Sequence, residues 1–233
     1  MKTLVILPTF NERENLERAL SSLFAHNPEV QALVVDDASP DGTGEIADSL
    51  AAADGRIHVL HRDGKQGLGK AYLAGFAWGF AHEYEFLVEM DADSSHRAQD
   101  LSALLLAATE ADLVIGSRWV RGGAVENWPL HRQLLSRAGN TYARLMLRSK
   151  IRDLTAGFRV FRSESLKLIP LEQIAAAGYS FQVELAWRFE KAGMRVVEVP
   201  ITFVERIHGV SKMSSAIVRE ALWLITRWGF LGK

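Results

Sequence analysis

Two aspartates, Asp91 and Asp93, follow an apolar run at residues 86–90 and are the clearest candidates for chemistry in this sequence. The run is typical of a buried strand, and a spacing of two residues lets both carboxylates point outward from the strand's carboxyl end. Open α/β sheets bind ligands at that end. Carboxylate oxygens without a nearby thiol suit Mg²⁺ or Mn²⁺, which keep coordination sites for phosphate oxygens. The pair therefore predicts a metal-bound nucleotide, with a solvated acidic turn as the alternative.

The composition fits one globular domain, or one domain with an appendage. The chain has 233 residues, of which 48% are apolar, so it can bury a substantial core. It has no Cys, which excludes disulfide frameworks and thiolate zinc sites and is compatible with the cytosol. The first apolar run is shorter than a signal peptide requires, and no run reaches the roughly 18 residues of a membrane span. Neither a leader nor a membrane-spanning helix is expected.

Charge is segregated along the chain. Residues 1–117 hold 8 Lys or Arg and 19 Asp or Glu, whereas residues 118–233 hold 19 and 9. An acidic first half suits a cation and a basic second half suits anions. The formal net charge of −1 argues against a general nucleic-acid-binding protein.

Short apolar segments alternate with helical patterns in the first half. This alternation predicts an α/β fold with a mostly parallel sheet flanked by helices on both faces. Right-handed crossovers then place every strand-to-helix loop on one edge of the sheet. The predicted strands are residues 3–7, 32–36, 57–61, 86–90 and 112–116, and the predicted helices are residues 12–25, 44–53, 68–82 and 98–109.

Three loops after the predicted strands carry residues suited to a nucleotide. Phe10 offers an aromatic surface for a base, and Asn11 is a candidate helix cap. Residues 36–43 form an acidic turn that can accept hydrogen bonds from a base or ribose, although Asp41 can equally cap a turn or helix. Residues 63–70 combine glycines with lysines, which suits either an anion site or a flexible turn.

The alternation breaks after residue 118. Residues 119–130 predict a long irregular loop, of the kind that often forms a lid. Residues 131–148 predict a helix with several arginines, whose apolar positions, including Leu134, Leu135 and Leu145, recur at helical spacing.

The rest of the second half predicts smaller elements. Residues 153–162 suggest a turn entering a strand, residues 178–192 a helix, and residues 195–204 an edge strand or two short pieces around a proline. Residues 205–212 resemble an anion-binding clip. Residues 214–231 predict a helix whose broad apolar face either docks on the core or lies at a membrane interface.

Seven segments, taken together and in order, resemble the inverting family 2 glycosyltransferases of GT-A fold. The likeness covers nearly the whole chain, and within the family it is closest to the dolichyl or polyprenyl monophosphate mannose synthases. The segments are residues 8–13, 36–43, 91–93, 116–118, 153–159, 181–184 and 206–212. The resemblance implies a GT-A-type catalytic domain over residues 1–212, with a nucleotide and metal half at 1–117 and an acceptor-phosphate half at 118–212. An amphipathic helix at 213–233 would follow as a membrane-interface element.

The resemblance implies transfer of mannose from GDP-mannose to a polyprenyl phosphate of the dolichyl type, giving a β-linked product. Asp91 and Asp93 would hold Mg²⁺ or Mn²⁺, with Ser95 at a position where some relatives have a metal-binding Gln. The implied nucleotide-binding residues, in which Phe10 stands where Tyr is usual, are Pro8, Phe10, Glu12, Val35, Asp37, Asp91, Ala92, Asp93, Arg206 and Lys212. The implied catalytic residues are Asp93, Arg118 and Arg132, and the phosphate-binding cations are Arg118, Arg132, Arg206 and Lys212.

The resemblance also implies a cytoplasmic protein that is peripheral on the cytoplasmic face of a membrane. Some relatives carry a hydrophobic four-helix anchor after the catalytic domain, and no such anchor is present in this sequence. Contact with the membrane surface is therefore expected from the terminal helix, from the loop near Trp128, or from an integral membrane partner protein.

The residue types fit this chemistry on their own. A phosphate monoester has a second pKa near 6, so it is largely dianionic at neutral pH and can attack an anomeric carbon without a general base. A sugar acceptor would call for a carboxylate base, for which Glu184 is the candidate. The rival functions are a polyprenyl-phosphate glucosyltransferase that uses UDP-glucose, another family 2 transferase, and a catalytically silent nucleotide-binding subunit of a membrane complex.

Overall fold

A seven-stranded sheet forms the centre of the protein, which is described by a computed structural model for residues 1–174, 179–205 and 215–231. The strands are β1 (Thr3–Thr9), β2 (Gln31–Asp36), β3 (Ile57–His61), β4 (Phe86–Glu89), β5 (Leu113–Ser117), β6 (Ala124–Glu126), β7 (Arg159–Arg162), β8 (Val196–Pro200) and β9 (Thr202–Val204). The helices are α1 (Leu16–His26), α2 (Thr43–Ala53), α3 (Leu68–Ala81), α4 (Leu101–Ala108), α5 (Leu130–Leu147), α6 (Ser163–Leu166), α7 (Tyr179–Lys191) and α8 (Ser215–Leu231).

The strand order is β3-β2-β1-β4-β7-β5-β8. Only β7 runs antiparallel to its neighbours in this sheet, and the other pairings are parallel. The predicted α/β class with a mostly parallel sheet is therefore confirmed. All five strands predicted in the first half form, and their ends lie within two residues of the predicted ends.

Side chains that alternate along the strands pack into two apolar cores, one on each face of the sheet. On one face, Leu4 and Ile6 of β1 pack with α3, α5, α7 and α8. On the other face, Val5 and Leu7 pack with α1, α2 and α4. The strands are buried on both sides, which explains their continuous apolar runs.

The beginning of α1 differs from the prediction. The helix begins at Leu16 and not near residue 12, because the carbonyl of Glu12 instead accepts turn hydrogen bonds from the amides of Asn15 and Leu16. Asn11 is not the helix cap, since it adopts a left-handed backbone conformation with φ 59° and its amide donates to Ser39 Oγ. The segment before α1 is thus a turn held against the loop after β2.

The loop predicted at residues 119–130 contains an unpredicted strand. β6 pairs in parallel with β9 to form a separate two-stranded sheet. Residues 195–204 form two strands, β8 at the edge of the large sheet and β9 in this small one, which confirms the second of the two predicted alternatives. The pairing of β6 is invisible locally because its partner is distant in sequence.

The apolar positions of α5 do not all face the core. The residues buried in this helix are Asn140, Ala143 and Leu147, whereas Leu134 and Leu145 are 59% and 68% exposed. In α8, Ile225 and Trp228 dock on the core while other large apolar side chains face outward. Within the described ranges, the structure shows no helix that is both long and apolar enough to span a membrane.

Candidate active site

The carboxyl ends of β1, β2, β4 and β5 meet at one edge of the sheet, as predicted. Thr9 at the end of β1 is in register with Asp36 at the end of β2, and β4 runs parallel on the other side of β1. The loops that leave this edge carry Phe10, Asp37, the Asp91–Asp93 turn and Arg118. The fold therefore gathers residues that are up to 108 positions apart onto one surface.

The two aspartates lie in a tight turn directly after β4. Asp93 is 5% exposed and its Oδ1 accepts a hydrogen bond of 3.0 Å from the amide of Ser95. Ser94 takes a left-handed conformation with φ 62°, which folds the turn back on itself. The hydroxyl oxygens of Ser94 and Ser95 are buried and have no hydrogen-bond partner within the described residues.

These groups fit a small divalent cation. Two carboxylates and two unsatisfied hydroxyls in one turn provide hard oxygen donors. The described residues contain no cluster of three or more His, Cys, Asp or Glu that could hold a metal by themselves. A cation at Asp91 and Asp93 would therefore need further ligands from water or substrate phosphate, which is the usual way in which proteins bind Mg²⁺.

His96 holds the turn from inside and has no role in the sequence-based prediction. The amide of Asp91 donates to His96 Nδ1 at 3.0 Å, so the proton of the neutral ring lies on Nε2. The imidazole is 3% exposed and stacks on Phe158 with ring centres 5.0 Å apart. Burial lowers the pKa of His96 to about 4, against the opposing effect of Asp93. A neutral histidine therefore orders the backbone on which the aspartates sit.

A buried carboxyl and a buried guanidinium lie next to this turn. Glu89 and Arg159 face each other in the antiparallel register of β4 and β7, and both are fully buried. Arg159 donates to the backbone carbonyls of Ala156, Gln182 and Leu154 at 2.7–2.8 Å. Burial raises the pKa of Glu89 to about 8, although Arg159 opposes the shift. Glu89 is thus mostly protonated at neutral pH, which limits the negative charge beside Asp91.

The pKa of Glu89 predicts a pH-dependent stability. Its folded-state pKa of about 8 lies above the ordinary value of 4.5, so the stability from its bound proton is fully present below 4.5 and is lost as the pH rises through 8. We expect the free energy of unfolding to fall more between about pH 5 and about pH 9 in the wild type than in Glu89→Gln, which cannot titrate. Urea unfolding at both pH values measures the difference. Parallel declines in the two proteins would show that Glu89 does not titrate as described.

The proposed nucleotide end of the site contains an unpredicted ion pair. Asp37 is 5% exposed and pairs with the guanidinium of Arg62, which follows β3. The Lys65 ammonium lies 4.4 Å from the centre of the Phe10 ring. The turn at residues 63–70 thus lies against the loops after β1 and β2. A basic residue just after β3 was a signal that pattern reasoning could have used.

Several residues predicted at this end contribute little side-chain surface. Val35 is fully buried and Ala92 is 3% exposed, and their side chains belong to the two cores, so contact with a nucleotide would have to be made by backbone. Pro8 is half-buried in β1. Glu12 Oε2 accepts a hydrogen bond from Asn15 Nδ2 at 2.8 Å, and Asp41 accepts from the amide and hydroxyl of Thr43, as predicted for a turn cap.

Arg118 is held in a buried ion pair, which the prediction of a phosphate-binding cation did not include. Its Nε and one terminal nitrogen donate to the two carboxylate oxygens of Asp153 at 2.8 and 2.7 Å, and the same terminal nitrogen donates to Thr155. Asp153 is fully buried and also accepts from Asn140 of α5. Two of the guanidinium nitrogens therefore connect the end of β5 to the 153–155 loop and to α5. This geometry favours a positioning role for Arg118.

Arg132 lies at the start of α5, beside the small sheet. It forms an ion pair with Glu205, and its guanidinium carbon is 4.0 Å from the centre of the Trp128 ring. Trp128 is 9% exposed and packs edge-on against Phe203 of β9, with ring centres 5.3 Å apart. Arg132 is thus a cation in an aromatic setting, paired with the carboxylate of Glu205. The predicted residues Arg206 and Lys212 lie outside the described residues.

Glu184, the candidate base for a sugar acceptor, lies within α7. It is 2% exposed and its Oε1 accepts two hydrogen bonds from Arg188, at 2.9 and 2.6 Å. Its role as a general base stays a prediction.

The sequence and the fold define the class of protein. The glycosyl transferase family 2 model matches residues 4–169, and the chain belongs to that family. Over its full length the chain is 54% identical to polyprenol monophosphomannose synthase of Mycolicibacterium smegmatis, of which it covers 88%. It is also 53% identical to undecaprenyl-phosphate mannosyltransferase of Micrococcus luteus, of which it covers 96%. The expected likeness to the polyprenyl monophosphate mannose synthases is confirmed.

Solved structures confirm the GT-A-type fold. A mannosyltransferase from Pyrobaculum calidifontis, solved in complex with GDP-Man and Mn²⁺, superimposes with a TM-score of 0.61 at 20% identity. The match covers 99% of this chain and 63% of that one. A mycobacterial protein superimposes with a TM-score of 0.67 at 20% identity, and the match covers 98% of this chain and 72% of that one.

Proposed function

We propose that this protein transfers mannose from GDP-mannose to a polyprenyl phosphate of the dolichyl type, with inversion, in a reaction that depends on a divalent metal. It does so at the cytoplasmic face of a membrane. The observation that carries this proposal is the full-length identity of 53–54% to two relatives that are named for mannosyl transfer to polyprenyl carriers. The aspartate turn and the position of Arg132 over the Trp128 ring are the site features that agree with it.

The donor end of the site is the edge formed by the loops after β1, β2 and β4. Phe10 supplies a flat apolar surface for a base, and Asp37, held by Arg62, supplies a fixed hydrogen-bond acceptor. Asp91 and Asp93 would hold Mg²⁺ or Mn²⁺, and the buried Ser95 hydroxyl in the same turn has no hydrogen-bond partner within the described residues. Such a cation, when bound, neutralises charge on a departing diphosphate.

The acceptor end needs cations and no base. A lipid phosphate is itself a nucleophile at neutral pH, and the obstacle to its attack is repulsion between two phosphate groups. Arg132 supplies a cation that offsets this repulsion, because a guanidinium binds phosphate oxygens through two parallel N–H groups. Its ion pair with Glu205 and its contact with Trp128 hold the side chain in place before the substrate arrives. Such preorganisation is how a site aligns an attacking group.

In this proposal, Arg118 positions the 153–155 loop and α5. Its paired contacts with Asp153 fix the loop that in turn binds Asn140 of α5. The helix that carries Arg132 is thereby tied to the end of β5. This link to the sheet edge that carries the aspartates supports the proposed role of Arg132 as the acceptor cation.

A direct transfer assay tests the proposed function. Radiolabelled GDP-mannose and a short polyprenyl phosphate should give a labelled lipid in the presence of Mg²⁺ or Mn²⁺, and chelation should abolish it. Matched reactions with UDP-glucose should give little product. Efficient glucose transfer would identify the sister activity, and no transfer from either donor would favour a silent nucleotide-binding subunit.

Replacing Arg132 should damage use of the acceptor more than use of the donor. A charge-assisted hydrogen bond contributes about 1.5–3 kcal/mol, so Arg132→Ala should raise the KM for the polyprenyl phosphate roughly 10- to 100-fold. The KM for GDP-mannose should change less than about twofold, because the donor is bound by other loops. Steady-state kinetics with each substrate varied in turn measures both values. Arg144→Ala, on the same helix, is the matched control, and an equal loss of both affinities would contradict the assignment.

A further inference from the structure

A buried hydrogen-bond donor without a partner lies beside Arg132. Trp128 is 9% exposed, and its indole nitrogen Nε1 has no hydrogen-bond partner within the described residues. An indole N–H can only donate, and a buried tryptophan normally places it on an acceptor. An unsatisfied buried donor costs stability, so its presence in a folded protein needs a physical explanation. The described part of the chain supplies no acceptor, which points to one that comes with a ligand.

The ring of Trp128 is held between the two ends of the proposed site. On one side, the guanidinium carbon of Arg132 lies 4.0 Å from the ring centre. On the other side, the ring meets Phe203 of β9 edge to face, with centres 5.3 Å apart. Phe203 in turn contacts the ring of His96, the residue that orders the aspartate turn. Trp128 is therefore fixed by its neighbours and placed next to the cation proposed for the acceptor.

Two partners are open to this N–H. The first is the face of the Phe203 ring, since the two rings meet at an interplanar angle of 74°. A hydrogen bond from an N–H to an aromatic face is a weak interaction. The second is an anion bound to Arg132, and a hydrogen bond to a charged acceptor is considerably stronger. The stronger partner is thus an anionic group that Arg132 also binds.

A phosphate monoester has enough acceptors for this arrangement. It presents three acceptor oxygens, of which the two parallel N–H groups of a guanidinium bind two. The Trp128 N–H, on the ring that Arg132 covers, can then bind the third. Glu205 occupies one terminal nitrogen of Arg132, and a guanidinium has five N–H groups, so donors remain for the phosphate. A sugar hydroxyl has a single oxygen and cannot accept from all these groups.

We propose that the Trp128 indole N–H donates a hydrogen bond to the acceptor phosphate and, together with Arg132, selects a phosphate monoester. This inference rests on the proposed function, because it takes a lipid phosphate as the acceptor. The indole nitrogen has almost no solvent-accessible surface, so an oxygen reaches it only after a neighbouring side chain moves. The Arg132 side chain lies over the ring and is 19% exposed, so it can shift without disturbing the backbone.

Trp128→Phe tests the N–H apart from the ring, because phenylalanine keeps an aromatic surface beside Arg132 and Phe203. The KM for a short polyprenyl phosphate should rise at least about tenfold, which is the effect of losing one hydrogen bond to a charged group. The KM for GDP-mannose should change less than about twofold. The matched control is Trp78→Phe, in the last turn of α3 at the opposite end of the strands, and it should leave both KM values unchanged.

The indole signal of Trp128 gives a readout that does not depend on catalysis. The chain has six tryptophans, so a ¹H–¹⁵N spectrum contains six indole signals, and the one that is missing in Trp128→Phe belongs to Trp128. A water-soluble short-chain polyprenyl phosphate, added without donor, should shift this signal downfield, as expected when an N–H donates to an anion. GDP with Mg²⁺ should shift it much less.

Three outcomes would overturn the proposal. The first is an unchanged KM for the polyprenyl phosphate in Trp128→Phe. The second is an indole signal that does not respond to saturating polyprenyl phosphate, as expected of an N–H held by the Phe203 ring. The third is a signal that responds to GDP and not to the polyprenyl phosphate. Failure of mannose transfer in the wild type, with the response to polyprenyl phosphate intact, would count against the proposed function alone.

Discussion

Replacing Asp93 should reduce mannose transfer by at least about a thousandfold while leaving the fold in place. A metal ion that stabilises charge on a leaving diphosphate contributes several kcal/mol to the transition state, and each 1.4 kcal/mol is a factor of ten in rate. Asp93→Asn is the most specific test, because it removes the charge but keeps an oxygen that can accept the hydrogen bond from the Ser95 amide. Asp93→Ala should lose the same activity and some order in the turn. Initial rates with GDP-mannose and a short polyprenyl phosphate give the size of the loss.

The Asp93 prediction has a matched control and a second readout. Asp48→Asn removes a carboxylate from the exposed side of α2 and should leave the rate unchanged. Titration of Mn²⁺ into the protein with GDP present should show tight binding in the wild type and in Asp48→Asn, and much weaker binding in Asp93→Asn. Near-normal turnover in Asp93→Asn would remove the metal site from the proposed function.

The second large effect is a loss of stability, which we expect when Asp153 is replaced. Removing one partner of a buried ion pair leaves the other charge uncompensated, which typically costs about 3–5 kcal/mol. Asp153 is fully buried, and it accepts two hydrogen bonds from the Arg118 side chain and one from the Arg118 amide. Asp153→Ala should therefore lower the Tm by roughly 6–20 °C for a chain of this size. Thermal unfolding followed by circular dichroism measures the shift.

A double variant tests the cause of the Asp153 effect. If the cost comes from the unpaired guanidinium, Arg118→Met/Asp153→Ala should be more stable than Asp153→Ala alone, because no buried charge is left without a partner. Asp48→Ala, at an exposed carboxylate, should shift the Tm by less than about 2 °C. A double variant that is less stable than either single variant would show that the two residues contribute independently.

The first half of the fold could be predicted because its signals are local. Strands that are covered on both faces have continuous apolar runs, and the loops between them carry polar residues that parallel topology must bring to one edge. Asp91, Asp93, Phe10 and Asp37 were predicted on this basis, and the structure does bring their loops together. Their binding roles remain proposals.

The sequence could not show which residues that are far apart in the chain contact each other in the fold. The partner of Arg118 in its buried ion pair, Asp153, lies 35 residues further along the chain, so no local pattern reveals the pair. The register that sets Glu89 opposite Arg159 is hidden in the same way. Each depends on strand order, which no local pattern encodes.

The sequence also could not show which apolar side chains of α5 are exposed, and the physical reason is different. Helical spacing shows which apolar residues share a side of the helix, but it does not show which side is buried. In α5 the buried side includes Asn140 and Ala143. Asn140 is buried because its side chain donates a hydrogen bond to Asp153. The close approach of α8 leaves space only for small side chains such as that of Ala143. The larger leucines, Leu134 and Leu145, are left on the outside.

The most direct test of the proposed metal site is a crystal structure of the protein with GDP and Mn²⁺, with the metal located by its anomalous scattering. The site as described predicts one Mn²⁺ peak within about 2.0–2.6 Å of a carboxylate oxygen of Asp91 or Asp93 and of an oxygen of the diphosphate. A diphosphate bound away from both aspartates, with no metal between them, would contradict it.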